Sequence, residues 1–203
     1  MSALSRVTSI LGIPTVYRLF TSVIGGSYRD RYSREFIQPR SGDRVLDIGC
    51  GPGDMLAHLP PVEYLGIDVD PCYIETARQR FGTRGKFYCE SATETVLQEP
   101  GSFDIVMANG LLHHLSDDEA RTVLSLARQA LKPTGKFIAL DGAFIADQSG
   151  FERLLLKLDR GRFVRAPEHY VELARETFGE VKGLTCRDLL HWPYTHHIMT
   201  CRP

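Results

Sequence analysis

The stretch Val45-Leu46-Asp47-Ile48-Gly49-Cys50-Gly51-Pro52-Gly53 decides the fold of this 203-residue chain. Its first four residues alternate as a buried strand does, and glycine then recurs at every second position. Glycine accepts positive φ and has no Cβ, so the backbone can turn sharply here and contact a ligand directly. A strand that delivers such a loop to the start of a helix forms the first ligand contact of a doubly wound α/β sheet. We therefore expect this sheet, with the loop as its binding site.

The loop departs from the fingerprint of dinucleotide-binding proteins. That pattern, G-x-G-x-x-G, has a third glycine where this chain, counted from Gly49, has Asp54. A carboxylate there would repel a pyrophosphate at the helix N-terminus. The next predicted strand, residues 64–69, includes Asp68 about twenty positions on, where a carboxylate can accept hydrogen bonds from both ribose hydroxyls. A ribose without a pyrophosphate indicates a nucleoside ligand.

Four segments resemble, in order and spacing, the motifs of class I S-adenosylmethionine-dependent methyltransferases of the small-molecule type, similar to methyltransferase types 11 and 12. They are residues 45–53, 66–70, 103–106 with 112–115, and 131–135. The resemblance implies an α/β, Rossmann-like methyltransferase fold, which is a doubly wound, seven-stranded, mostly parallel sheet whose last strand is antiparallel.

The resemblance also implies S-adenosyl-L-methionine as the cofactor and places its contacts. These are the backbone of Gly49, Cys50 and Gly51, Asp47 near the amino-acid portion, Asp68 on the ribose, Val69 against adenine, and Asn109 with Gly110 beneath the methionine portion. For Asp47 a second interpretation stays open, in which the carboxylate accepts hydrogen bonds from amides of the turn.

Ser91 and Ala92 follow the third predicted strand, where the family contacts adenine. An aspartate commonly occupies the position of Ser91 and accepts a hydrogen bond from the adenine amino group, while the next backbone N–H reaches a ring nitrogen. Ser91 offers a hydroxyl without charge, and Ala92 keeps the N–H.

Methyl transfer from a sulfonium is a direct displacement, and the cofactor brings its own leaving group. The protein must align the reactants, exclude water and remove a proton if the nucleophile has one. His113 and His114 are candidate bases because they follow the strand that lines the cleft and histidine titrates near neutral pH. Tyr194, in the last predicted hairpin, is a third candidate. All three can instead be packing residues.

The flanking segments lead us to expect one domain in four parts. Residues 1–40 form an N-terminal helical lid, 41–142 the cofactor-binding core, 143–179 a helical cap insertion and 180–203 the C-terminal strands. Four aromatic residues of the lid either contact substrate or cofactor or pack on the domain: Tyr17, Phe20, Tyr28 and Tyr32.

Composition narrows the class of protein. Lys and Arg number 24 against 25 Asp and Glu, for a formal net charge of −1, whereas proteins that bind nucleic acid usually have a clear basic excess. The five cysteines include no C-x-x-C pair, which fits a reducing cytoplasm and argues against a metal site. We expect a cytoplasmic protein without stable membrane insertion, with peripheral contact by the first helix as the alternative. The sequence indicates no oligomeric state.

The leading hypothesis is therefore an S-adenosylmethionine-dependent methyltransferase that methylates an oxygen, carbon or nitrogen of a small-molecule acceptor. The chain lacks an Asn-Pro-Pro-Tyr-like sequence after the fourth strand, which the family uses for exocyclic base amines. Two alternatives are a non-catalytic S-adenosylmethionine-binding interaction protein and an NAD-binding oxidoreductase, which Asp54 disfavours.

Overall fold

The computed structural model of the chain describes residues 28–93, 99–158, 161–190 and 192–203. Residues 1–27 of the predicted lid, with the candidates Tyr17 and Phe20, lie outside the described residues.

Seven strands form a single sheet. In chain order they are β1 Arg44–Ile48, β2 Glu63–Asp68, β3 Gly85–Cys89, β4 Phe103–Asn109, β5 Leu131–Gly142, β6 Glu180–Cys186 and β7 His196–Arg202. Their order across the sheet is β3-β2-β1-β4-β5-β7-β6. β7 is antiparallel to both β5 and β6. The other neighbours in the sheet, β3-β2-β1-β4-β5, pair in parallel. The predicted fold class is confirmed.

The structure describes five α-helices, two of which begin at side-chain caps. They are α1 Tyr28–Tyr32, α2 Pro71–Phe81, α3 Asp117–Ala130, α4 Gly150–Leu158 and α5 Pro167–Arg175. Asp70 caps α2, since its carboxylate accepts a hydrogen bond from the Cys72 N–H at 2.8 Å. Ser116 and Glu119 form a capping box at the start of α3.

The two faces of the sheet bury separate cores, as expected of a sheet with helices on both sides. Successive residues of a strand point to opposite faces. Leu46 thus joins the core that contains the buried face of α3, while Val45 joins the core that contains Ile74 and Ala77 of α2. This doubly covered sheet leaves the strand ends as the place where ligands can be reached.

The predicted cap contains α4 and α5, which pack differently. α5 lies against β6 and α3, and Tyr170, Leu173 and Ala174 enter the main core. α4 buries Glu152 and Leu156 but leaves Phe151 and Leu154 about half exposed. The division into lid, core, cap and C-terminal strands stays a prediction.

An ion pair between a buried carboxylate and a half-buried guanidinium attaches α4 to the segment between β6 and β7. The Glu152 side chain is 2% exposed, and its oxygens accept hydrogen bonds from Arg187 Nε at 3.1 Å and Nη2 at 2.6 Å. The Arg187 guanidinium lowers the pKa of Glu152 below its usual value. The helix is therefore fixed to this segment by charge as well as by packing.

Among the residues described here, no helix is both long and apolar enough to cross a bilayer.

Gly66, in the middle of β2, should resist any side chain. A Cβ there would lie 2.9 Å from both Cys50 Sγ and Tyr64 Cε1, whereas a Cβ at Gly150 meets nothing within 4 Å. We expect Gly66→Ala to lower the free energy of unfolding by about 1–3 kcal/mol through overpacking. Gly150→Ala, the control, should leave it unchanged or raise it by up to about 1 kcal/mol. Urea denaturation of the cofactor-free protein measures both, and equal stabilities would contradict the packing argument.

Candidate cofactor and acceptor site

The glycine loop after β1 lies between the carboxyl ends of β2 and β4. The N–H groups of Gly49 and Cys50 both donate to the Ile67 carbonyl, at 2.8 and 3.0 Å, and so fix the loop to β2. Gly49, Gly51 and Gly53 have φ of 71°, 54° and 73°, in the left-handed region. Apart from its chain neighbours, no atom of the described residues lies within 4 Å of a Cβ built on Gly51, so the loop presents bare backbone to open space at this position.

Asp68, at the end of β2, is hydrogen-bonded to this loop. Its Oδ2 accepts from the Gly51 N–H and its Oδ1 from the Asp70 N–H, each at 2.9 Å. An ionised carboxylate has about four lone-pair sites, so two bonds leave capacity for ribose hydroxyls. The next residue, Val69, is 76% exposed and offers an apolar surface beside the ribose position. This pairing of a carboxylate with an exposed apolar side chain fits a nucleoside.

Asn109, the last residue of β4, has half of its amide unsatisfied. Its Oδ1 accepts a hydrogen bond from the Tyr32 hydroxyl at 2.8 Å, while its Nδ2 is buried and has no hydrogen-bond partner among the described residues. A buried donor without an acceptor is costly, and a ligand oxygen would relieve that cost. The following residue, Gly110, has φ 67° and donates its N–H to the Leu140 carbonyl. The unsatisfied amide, together with the open backbone at Gly51, fits a polar cofactor at this edge of the sheet.

Asp47 lies in the interior, behind the loop. Its side chain is buried, and the hydrogen-bond partner that the structure gives it is the Tyr64 hydroxyl, at 2.6 Å, rather than an amide of the turn. Burial raises the pKa of Asp47 to about 7, although the hydrogen bond from Tyr64 opposes this shift. Contact of Asp47 with the cofactor stays a prediction.

Ser91 and Ala92 follow β3 and differ in exposure. Ser91 is exposed, and Ala92 is partly buried against the core. Their contact with adenine also stays a prediction.

His113 forms a buried dyad with Asp141, the penultimate residue of β5. Asp141 Oδ1 lies 2.8 Å from His113 Nδ1 and accepts the His113 backbone N–H at 3.1 Å. Both side chains are at most 6% exposed. The segment after α4 covers the ring, because a Cβ on Gly161 would overlap His113 Cδ2 and the Phe163 N–H donates to the His113 carbonyl.

The other two predicted catalytic residues lie near this dyad. His114 is exposed, and its ring centroid lies 4.2 Å from that of His113. Tyr194 packs over Gly142, the neighbour of Asp141, so closely that a Cβ there would lie 2.6 Å from the tyrosine hydroxyl. All three candidates are thus placed at the carboxyl ends of β4 and β5.

The sequence interpretation missed two residues of this site, Asp141 and Tyr64. Asp141 ends the fifth predicted strand and therefore shares an edge with Asp68 and Asn109, which was a usable signal. Tyr64 gave no such signal. It lies opposite Val45 in the pairing of β1 with β2, so its contact with Asp47, two residues further along β1, could not be expected from the strand register.

The chain is similar in sequence to known methyltransferases. A family model described as a methyltransferase domain matches residues 45–135. The ubiquinone biosynthesis O-methyltransferase of Aromatoleum aromaticum is 32% identical over 169 residues, which cover 76% of this chain and 69% of that protein. The chain belongs to the S-adenosylmethionine-dependent methyltransferases. The recognition of this family and the prediction of S-adenosyl-L-methionine as cofactor are confirmed.

Other similar proteins are either matched over a smaller share of their length or less identical in sequence than the Aromatoleum aromaticum enzyme. The ribosomal protein L11 methyltransferase of Symbiobacterium thermophilum is 33% identical over 113 residues, and the match covers 54% of this chain but 34% of that protein. Phosphoethanolamine N-methyltransferase 2 of Haemonchus contortus, solved with S-adenosyl-L-methionine, superposes with a TM-score of 0.72 at 16% identity. That match covers 100% of this chain and 60% of the other, and it supports the fold alone.

Among the described residues of the methyltransferase, no group of three or more His, Cys, Asp and Glu side chains is arranged to hold a metal ion.

Substitution of Asp68 tests the nucleoside site. We expect Asp68→Ala to weaken binding of S-adenosylhomocysteine by about 1–3 kcal/mol, since charge-assisted hydrogen bonds to the ribose are lost along with the bond to Gly51. Calorimetric titration of the folded variant measures the change. Asp118→Ala, which removes a nearly fully exposed carboxylate on α3, is the control and should bind normally. An unchanged dissociation constant for Asp68→Ala would rule out the ribose role.

The buried carboxyl of Asp47 should make stability depend on pH. Its pKa in the folded protein, about 7, exceeds the reference value of 3.8, so the folded state binds more protons between these limits. The free energy of unfolding should therefore decrease as the pH rises from about 4 to about 7. In Asp47→Asn this decrease should be smaller by roughly 2–4 kcal/mol. Tyr64→Phe deletes the hydrogen bond that lowers this pKa, so the decline should extend to higher pH. Urea unfolding of the cofactor-free protein from pH 4 to 9 measures these slopes, and matching slopes for Asp47→Asn and the unaltered protein would refute the assignment.

Proposed function

We propose that this methyltransferase transfers a methyl group to a hydroxyl oxygen of a small-molecule acceptor, with His113 as the general base. The observation that carries the proposal is the buried pair of His113 with Asp141 at the edge where the glycine loop, Asp68 and Asn109 also lie. A base is needed only when the nucleophile must lose a proton, which favours a hydroxyl over a nucleophile that already has a free lone pair and no proton to lose.

Each set of residues has a separate task in this scheme. When bound, S-adenosyl-L-methionine supplies the methyl group and a neutral thioether as leaving group. The loop at Gly49 and Gly51 and the carboxylate of Asp68 hold the nucleoside, and the Asn109 amide binds an oxygen of the amino-acid portion. Their rigid attachment to β1, β2 and β4 fixes the direction in which the acceptor must approach.

The Asp141 carboxylate determines which nitrogen of His113 acts. An ionised carboxylate only accepts hydrogen bonds, so the hydrogen of the neutral ring resides on Nδ1 and Nε2 takes the proton from the acceptor. Asp141 then stabilises the imidazolium that forms. Because the segment around Gly161 covers this ring, the acceptor must displace that segment, which afterwards excludes water from the reaction.

Relatives support methyl transfer without fixing the acceptor. The relative from Aromatoleum aromaticum is named for O-methylation in ubiquinone biosynthesis, and the one from Symbiobacterium thermophilum for a ribosomal protein. The net charge of −1 favours a small molecule over a nucleic acid. Neither a non-catalytic binding protein nor an NAD-binding oxidoreductase is favoured by these relatives. The five free cysteines support a cytoplasmic location.

Variants of the dyad test the catalytic role. We expect His113→Gln to lower kcat by about 10²- to 10⁴-fold, the usual contribution of a general base, while the affinity for S-adenosylhomocysteine stays within about twofold. Asp141→Asn should also lower kcat, because it permits the wrong tautomer of the ring. His113→Gln should also lose the ascending limb of the pH–rate profile, because it removes the proton acceptor, whereas Asp141→Asn should keep such a limb.

His114→Gln is the matched control, because it removes the neighbouring exposed ring, and it should keep most of the activity. Acceptors can be found by incubating extract with the protein and a deuterated methyl donor, followed by mass spectrometry. A fully active His113→Gln would eliminate the proposed base, and labelled carbon or nitrogen atoms would eliminate the proposed oxygen acceptor.

A further inference from the structure

The outward face of α4 carries apolar side chains that the described residues leave partly uncovered. Phe151 and Leu154 are 47% and 48% exposed. Leu155 and Leu158 are half-buried and complete a stripe at spacings of three, four and seven residues, which is one side of a helix. The helix uses a different side, with Glu152 and Leu156, to pack on the domain.

Trp192 extends this stripe from the segment between β6 and β7. Its side chain is 46% exposed, and its ring centroid lies 6.4 Å from that of Phe151. We refer to the five residues Phe151, Leu154, Leu155, Leu158 and Trp192 as the α4 face. It combines an aromatic pair with three leucines.

The charges around the α4 face are positive, although the chain as a whole has a net charge of −1. Lys157 lies beside the stripe on α4, and Arg162 follows the helix; both are exposed. Arg153 is exposed too, but its guanidinium donates to the Ile145 carbonyl at 3.3 Å and lies over the Phe144 ring. Within the described part of the chain, no carboxylate lies in ion-pair contact with any of them. The nearby carboxylates of Asp147 and Glu152 are both paired with Arg187. The face therefore complements an anionic surface.

The area of the face favours a lipid surface over a protein partner. The exposed fractions of Phe151, Leu154 and Trp192 amount to roughly 300 Å². A stable protein–protein interface needs about 800 Å² on each partner. A helix with Phe, Trp and Leu on one side and Lys and Arg beside them is instead typical of segments that lie in a membrane interface.

We propose that the α4 face binds the surface of a bilayer that contains anionic lipids. Lys157 and Arg162 contact the headgroups, and the apolar stripe enters the boundary between headgroups and acyl chains. The segment that covers His113 includes Gly161, which is close in sequence to the end of α4 at Leu158, so we expect this contact to bring the acceptor site close to the bilayer. The proposal concerns binding to a surface and does not depend on the methyl acceptor.

The chain contains its own probe, because Trp192 is its single tryptophan. Full-length protein is titrated with vesicles of phosphatidylglycerol and phosphatidylcholine, and with vesicles of phosphatidylcholine alone. We expect Trp192 emission to shift to the blue and the protein to co-sediment with the anionic vesicles, with at least about tenfold weaker binding to the neutral ones. Added salt should weaken the anionic binding.

Matched variants locate the contact. Phe151→Ser combined with Leu154→Ser should reduce co-sedimentation by at least about tenfold, because the apolar area is lost. Leu184→Ser removes an apolar side chain that is 51% exposed on β6 and should bind vesicles normally. Lys157→Gln with Arg162→Gln should weaken binding to anionic vesicles, whereas Lys182→Gln should not. Stabilisation of each variant by S-adenosylhomocysteine in a thermal-shift assay verifies that it is folded.

Several results would overturn the proposal. Binding that persists in the Phe151 and Leu154 variant would place the membrane contact elsewhere. Trp192 emission that is blue-shifted before vesicles are added and does not respond to them would mean that protein covers the face. Dependence of that emission on protein concentration would identify a second copy, and independence would identify another segment of the same chain. Absence of any vesicle binding would reject the proposal outright.

Discussion

Parallel pairing of β1 with β2 on one side and β4 on the other is the constraint on which the site depends. It brings three carboxyl ends to one edge of the sheet, so that residues distant in sequence become neighbours. Two amides of the glycine loop share the Ile67 carbonyl, and the amide of Gly51 binds the carboxylate of Asp68. The backbone of the candidate site is therefore held by the same strands that form the core. A change in strand register would move both sides of the candidate cofactor site at once.

Acidic groups are concentrated at this edge, and their electrostatic effects are mutual. Asp68 contributes to the raised pKa of Asp47, and the carboxylates of Asp141 and Asp47 contribute, after burial, to the raised pKa of Tyr32. Such a region favours a ligand with positive charge, and the sulfonium of the family's cofactor has one.

The sequence predicted those parts of the structure that depend on neighbouring residues. The Asp70-Pro71 start of α2, the capping box at Ser116 and the turn at Gly49 each result from local stereochemistry. The cofactor contacts were assigned to residues that the family repeats at fixed spacing, and they stay predictions. The dyad of His113 with Asp141 and the hydrogen bond between Tyr64 and Asp47 join different strands or loops. Local sequence patterns therefore could not predict them. The choice between His113 and His114 likewise required the packing around each ring.

The ion pair between Glu152 and Arg187 has a consequence for how this chain can vary over time. Glu152 alone would be an uncompensated charge in a closed environment, because its side chain is 2% exposed. Arg187 alone would keep access to water and its ion pair with Asp147, because its side chain is 43% exposed. A lineage that lost Arg187 would therefore be under pressure to replace Glu152, thirty-five residues earlier, whereas loss of Glu152 first would be tolerated more easily.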